Sequence, residues 1–169
     1  SFSPYDFRAA WVRARVSKDL ETADSRFSIA ADLWPAHPDL QKEIGLWFWE
    51  GEDVEESARC FRRLFEQNSS FVLLVMKLIW DPAISLSSYE KLLPDTPMPV
   101  AIMAGFFVDQ GQWKEGVDLF NQRWKGNPAA ADYFADRLSH AGQWGLEAMV
   151  RERRLEKKSD RAAWVATGR

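Results

Sequence analysis

The sequence predicts an all-α chain assembled from repeated helical hairpins. Three observations carry that reading. The tripeptide Gly-Gln-Trp occurs twice, at Gly111 and at Gly142, and each copy opens a helix-like run, GQWKEGVDLF and GQWGLEAMV. Four prolines, Pro4, Pro38, Pro97 and Pro128, each stand at the head of an amphipathic segment, at spacings of 34, 59 and 31 residues. The middle interval is about twice the others, so a degenerate unit is expected inside it. No alternating apolar–polar run marks a strand, and the glycines fall where helices would turn.

The elements follow in order. Ser3, Thr96 and Asn127 are good N-caps before Pro4, Pro97 and Pro128, and a proline is tolerated at the first helical position because its missing N–H would lack a partner there. His37 is a poorer cap before Pro38. Phe7, Trp11 and Ala14 share one face of the first helix, at the three- and four-residue spacing of a buried stripe. Ala23, Phe27, Ala30 and Leu33 or Trp34 mark its partner, which stops at Pro35. Ile44 and Phe48 lead to Gly51 in the second unit. Asp53-Val54-Glu55-Glu56 is a capping-box-like start for a helix carrying Ser57, Phe61, Leu64 and Phe65 and ending near Asn68-Ser69. The apolar run FVLLVMKLIW, Phe71 to Trp80, opens the third unit and is broken by Asp81-Pro82. Ser87-Ser88-Tyr89-Glu90 offers a capping box for a short helix ending at Leu93-Pro94. The units run over about 3–36, 37–69, 70–96, 97–127 and 128–158, with a tail helix at 159–167, all within one domain.

Length and composition bound the possibilities. A chain of 169 residues that is 46% hydrophobic, with nine Trp and eleven Phe, can bury a substantial core. A net charge of −3 gives no electrostatic footprint for nucleic acid, so no nucleic-acid partner is expected. The one basic run, Arg151 to Lys158, is interleaved with Glu and reads as a solvated helix face. Phe71–Trp80 is interrupted by Lys77 and falls far short of the ~20 residues a membrane span needs, so no direct membrane insertion is expected. The single cysteine, Cys60, excludes an intrachain disulfide and sits in a helical pattern as a buried small hydrophobe.

A period near 34, two helices per unit and a recurrent glycine–aromatic–small–Phe–Pro series make the chain resemble tetratricopeptide repeats. The fourth unit carries the series as Gly111, Trp113, Gly116, Phe120 and Pro128, and the first as Ala23, Phe27, Ala30 and Pro35. The second matches through Gly45, Phe48, Ser57 and Phe61, and the fifth through Gly142, Trp144 and Ala148, each with one extra residue allowed. The third unit lacks the turn glycine, and Trp11 stands where the family usually has a small residue. The resemblance implies a right-handed α-solenoid of about five antiparallel hairpins. It implies that the first helices line a concave groove for a protein or peptide partner. The contact positions of such a groove fall on Tyr5, Arg8 and Arg15, then Asp39, Lys42, Trp49 and Glu50, then Asp109, Arg137 and His140. Among the consecutive aromatics Trp47, Phe48 and Trp49, one helical stripe accommodates only the middle one.

A second resemblance rests on Ser3-Pro4-Tyr5-Asp6-Phe7-Arg8 and on LWPAHPDLQKEIG. These stretches look like the soluble repeat tails of bacterial O-antigen ligase- or polymerase-like membrane proteins. It implies an accessory domain tethered to a missing membrane portion that carries the chemistry. The chain itself presents no phosphate loop, no Ser/His/Asp or Cys/His set, and no metal-ligand spacing around His37 or His140, so no cofactor and no catalytic residue is assigned. Glu55-Glu56 sits at a helix start, where carboxylates favour the positive end of the dipole.

Overall fold

A computed structural model of the chain describes residues 20–123 and 126–152. Their regular structure is entirely helical, as expected, with no strand among the described residues. In chain order the helices are α1 (Leu20–Leu33), α2 (Pro38–Glu50), α3 (Val54–Gln67), α4 (Phe71–Ile79), α5 (Leu86–Lys91), α6 (Pro97–Asp109), α7 (Trp113–Arg123) and α8 (Pro128–His140). Residues 144–152 form a further helix, α9.

The helix starts follow the proline rule. Pro38, Pro97 and Pro128 each lie in the first turn of a 13-residue helix. His37, the poor cap by residue type, nevertheless caps α2: its Nδ1 accepts the Leu40 N–H at 3.3 Å. Asn127 Oδ1 accepts from Ala130 at 3.0 Å, whereas Thr96 makes no side-chain cap. Asp53 Oδ1 accepts from Glu56 at 3.1 Å, which is half of the expected capping box. The other half is absent because the Asp53 N–H is committed to Phe48 O and the Glu56 carboxylate to Arg59. In α5 the cap position belongs to Ser85, so Ser87 and Ser88 lie inside the helix rather than at its start.

The described chain forms two compact units. One takes α1, α2 and α3 together with α5, and the other takes α4 with α6 to α9. The two helices of the predicted third hairpin are therefore divided between them.

In the first unit the core gathers Phe27, Ala30, Ala31, Leu40, Ile44, Phe48 and Cys60, with Trp34 and Trp47 packed on its edge. Asp32 of α1 bridges Arg59 and Arg63 of α3 at 2.6 and 3.0 Å. These two guanidiniums hold its carboxyl below the ordinary carboxylate range. α5 is held on α3 by Arg62 Nε donating to Lys91 O at 2.7 Å and by the Lys91–Glu55 ion pair, also 2.7 Å.

In the second unit α6 is buried along its whole middle, from Pro99 to Val108. A helix apolar all round needs cover all round. α4, α7 and α8 pack against it. Trp80, just past α4, sets its ring 5.4 Å from Phe106 and 5.6 Å from Phe107. Phe120 of α7 stacks on Phe134 of α8 at 4.5 Å.

Candidate functional site

The repeated Gly-Gln-Trp resolves into backbone geometry. Gly111 and Gly142 both adopt positive φ, 80° and 73°. The next N–H reaches back five residues, from Gln112 to Phe107 O at 2.8 Å and from Gln143 to Leu138 O at 2.9 Å. The glycine N–H takes the carbonyl three residues before it, Val108 or Ser139, at 3.0 Å in both turns. This pair of bonds is the Schellman motif, which satisfies helix-end carbonyls that would otherwise lack donors. Trp113 and Trp144 then begin α7 and α9. Their backbone positions are equivalent but their surroundings differ: Trp113 is half-buried and Trp144 is 66% exposed.

A third copy of this turn joins α2 to α3, without glycine at its key position. Glu52 has φ 63°, Asp53 N reaches Phe48 O at 2.9 Å, and Glu52 N reaches Trp49 O at 3.1 Å. Gly51, expected as the turn residue, has an ordinary φ of −82°. The positive-φ residue therefore lies fourteen positions after the leading proline in all three hairpins, at Glu52, Gly111 and Gly142. No extra residue is needed in any of these turns.

Counting from that residue also aligns the close approaches. Ser57 and Gly116, five positions on, are buried against their first helices. Ser57 Oγ donates to Gly45 O at 2.9 Å. A β-carbon at Gly116 would meet Ala104 O at 2.6 Å. Gly45 and Ala104 both stand seven positions after their prolines. The α8–α9 hairpin has Glu147, not Ala148, at the position of Ser57, and its carboxylate accepts from Arg151 Nε at 2.7 Å.

The expected groove residues distribute as follows. Tyr5, Arg8 and Arg15 lie outside the described residues, as do the tail helix 159–167 and Trp164. On α2, Asp39, Lys42 and Trp49 follow three- and four-residue steps through Leu46, on a stripe distinct from the buried Leu40, Ile44 and Phe48. Lys42 and Asp39 are 3.8 Å apart, and Glu50 is exposed at the helix end. Trp49 is half-buried and stacks on Tyr89 with ring centroids 5.4 Å apart. Trp47, on the other side of buried Phe48, packs on Phe27 at 5.0 Å and donates Nε1–H to Asp24 at 2.9 Å.

In the second unit Asp109 and Arg137 form an ion pair joining the end of α6 to α8. The Arg137 stem and the Tyr133 ring lie over Gly105, where a β-carbon would meet Arg137 Cγ at 2.9 Å. His140 is exposed, and its Nδ1 lies 2.6 Å from Asp136 O. α6 is buried between Pro99 and Val108, and Asp109, the contact residue expected on it from the resemblance, stands exposed at its end.

Sequence reasoning missed two buried polar side chains. Gln41 is fully buried, and its Nε2 donates to Ala31 O at 2.9 Å and Trp34 O at 3.2 Å, closing the carbonyl end of α1. Tyr89 is also fully buried; its hydroxyl accepts from Asp81 N at 2.8 Å and donates to Asp81 O at 3.0 Å, fixing the loop before α5. Burial pushes the Tyr89 hydroxyl above its ordinary range and the Cys60 thiol up to about 12. A thiol held protonated in this way is no nucleophile near neutral pH.

Among the described residues no group of three or more His, Cys, Asp or Glu side chains is placed to hold a metal ion. No helix there is long and apolar enough to cross a membrane. Comparison with protein-family models, with curated proteins and with solved structures found no match to this chain.

Proposed function

We propose that the chain is a non-catalytic interaction module of the tetratricopeptide-like solenoid type, which docks an extended peptide or a partner helix along the surfaces of its first helices. The observation that carries the reading is the recurrence of one hairpin. A proline-led helix of 13 residues is followed by a positive-φ residue fourteen positions after the proline, in α2–α3, α6–α7 and α8–α9. Recurrent hairpins that cannot bury both faces alone stack on their neighbours and present extended surfaces, which favours binding over catalysis. The residues assigned to contact are Tyr5, Arg8, Arg15, Asp39, Lys42, Trp49, Glu50, Asp109, Arg137 and His140. The half-exposed Trp49, two turns along the α2 stripe from Lys42 and followed by exposed Glu50, gives that helix the mixed aromatic and charged character that peptide grooves use.

Two measurements test this. Small-angle scattering in solution reads the solenoid: an elongated, curved particle is expected, and a near-spherical profile removes it. A partner recovered with the wild-type chain as bait is then titrated against the purified wild-type and Trp49→Ala/Arg15→Ala proteins. At least tenfold weaker binding is expected for the variant. Unchanged affinity removes the assigned groove.

A second reading, an accessory domain of an O-antigen ligase- or polymerase-like membrane enzyme, rests on the resemblance carried by Ser3–Arg8 and LWPAHPDLQKEIG. The full-length gene product decides it. Some ten or more hydrophobic spans upstream would support it, and their absence would remove it.

A further inference from the structure

We draw no further inference here: the strongest candidate, the recess between α7 and α9 lined by Val117, Asn121, Leu146, Met149 and Val150, with Trp144 exposed on the same helix, carries nothing because nothing in the structure shows what covers it.

Discussion

Glu52 and Gly111 hold the same position in two hairpin turns, both at positive φ, 63° and 80°. For an L-residue with a β-carbon this conformation costs roughly 1–2 kcal/mol, and glycine escapes most of that cost. Glu52→Gly should therefore stabilise the protein by about 0.5–1 kcal/mol, after allowing for the greater freedom glycine adds to the unfolded chain. Gly111→Ala should lose about 1 kcal/mol. No atom lies within 4 Å of a β-carbon there, so the loss is one of backbone conformation alone. Urea denaturation of the two variants reads both signs. A destabilised Glu52→Gly protein would contradict the assigned turn.

Three other glycines separate crowding from conformation. Gly45 lies under the Phe61 ring, 2.6 Å from where its β-carbon would be, and Gly116 lies against the Ala104 carbonyl at the same distance. Gly145, in α9, has open space around it. Helix propensity alone favours alanine over glycine by ~1 kcal/mol in a helix interior. Only Gly145→Ala should show a gain. Gly116→Ala should lose about 1–3 kcal/mol, because a backbone oxygen has nowhere to go. Gly45→Ala should lose a similar amount and recover part of it in the Gly45→Ala/Phe61→Leu double variant, where a smaller side chain clears the site. Equal melting temperatures for all three alanine variants would show that neither close approach constrains the fold.

Much of the fold was legible, and the reasons are local. Proline at the first helical turn marked α2, α6 and α8, and the apolar run ending before Asp81-Pro82 marked α4. Those signals act within a few residues and need no tertiary partner. The second hairpin turn was misplaced by one residue because Gly51 is the glycine in the sequence, whereas helix length and the Phe48–Asp53 bond put the positive φ on Glu52. Gln41 and Tyr89 look like surface residues by type, and only the distant carbonyl of Ala31 or the backbone of Asp81 explains their burial. The cover over α6 had a readable sign, since no residue from Met98 to Val108 is charged. That Asp39, Lys42 and Trp49 share one stripe of α2 was readable from helical spacing, whereas their choice as contact positions came from the family resemblance. The stacking of Trp49 on Tyr89 joins residues forty apart in sequence and was not readable.

Gln41 offers the clearest test of a buried polar contact. Its amide donates to two carbonyls at the end of α1, and one of them, Ala31 O, also accepts from Arg63 at 3.1 Å. Replacing it with the similarly shaped Met keeps the volume but removes the donor. Ala31 O keeps Arg63 and Trp34 O keeps the His37 N–H as donors, and the buried Gln41 Oε1 itself has no partner, so the cost is that of lost hydrogen bonds rather than of stranded carbonyls, about 0.5–1.5 kcal/mol. Gln41→Met should lose that much in chemical denaturation, and Arg63→Ala should add to the loss by more than its own effect, since both serve Ala31 O. Strict additivity in the double variant would mean that the two donors act independently.

Cys60 ties the core to pH. Its thiol is fully buried and held protonated up to about 12, against 9.0 for the free group, chiefly because burial penalises the thiolate. The unfolded chain can lose this proton near pH 9 while the folded protein cannot, so above that pH the unfolded state binds fewer protons. Stability from this group is therefore complete below about pH 9 and drains away as pH rises through the window up to 12. Tyr89 and Tyr133, also raised by burial, act in the same direction at the alkaline end. Cys60→Ala should flatten the fall in stability between pH 9 and about 11 relative to wild type, even though it loses some stability at neutral pH by leaving a small cavity. A thiol reagent at pH 8 gives a second readout. The native protein should react only as fast as it opens, at a rate that rises steeply with added urea, and the unfolded chain should react at once. Rapid labelling of the native protein would place Cys60 at the surface and undo the packing of α3 against α1 and α2.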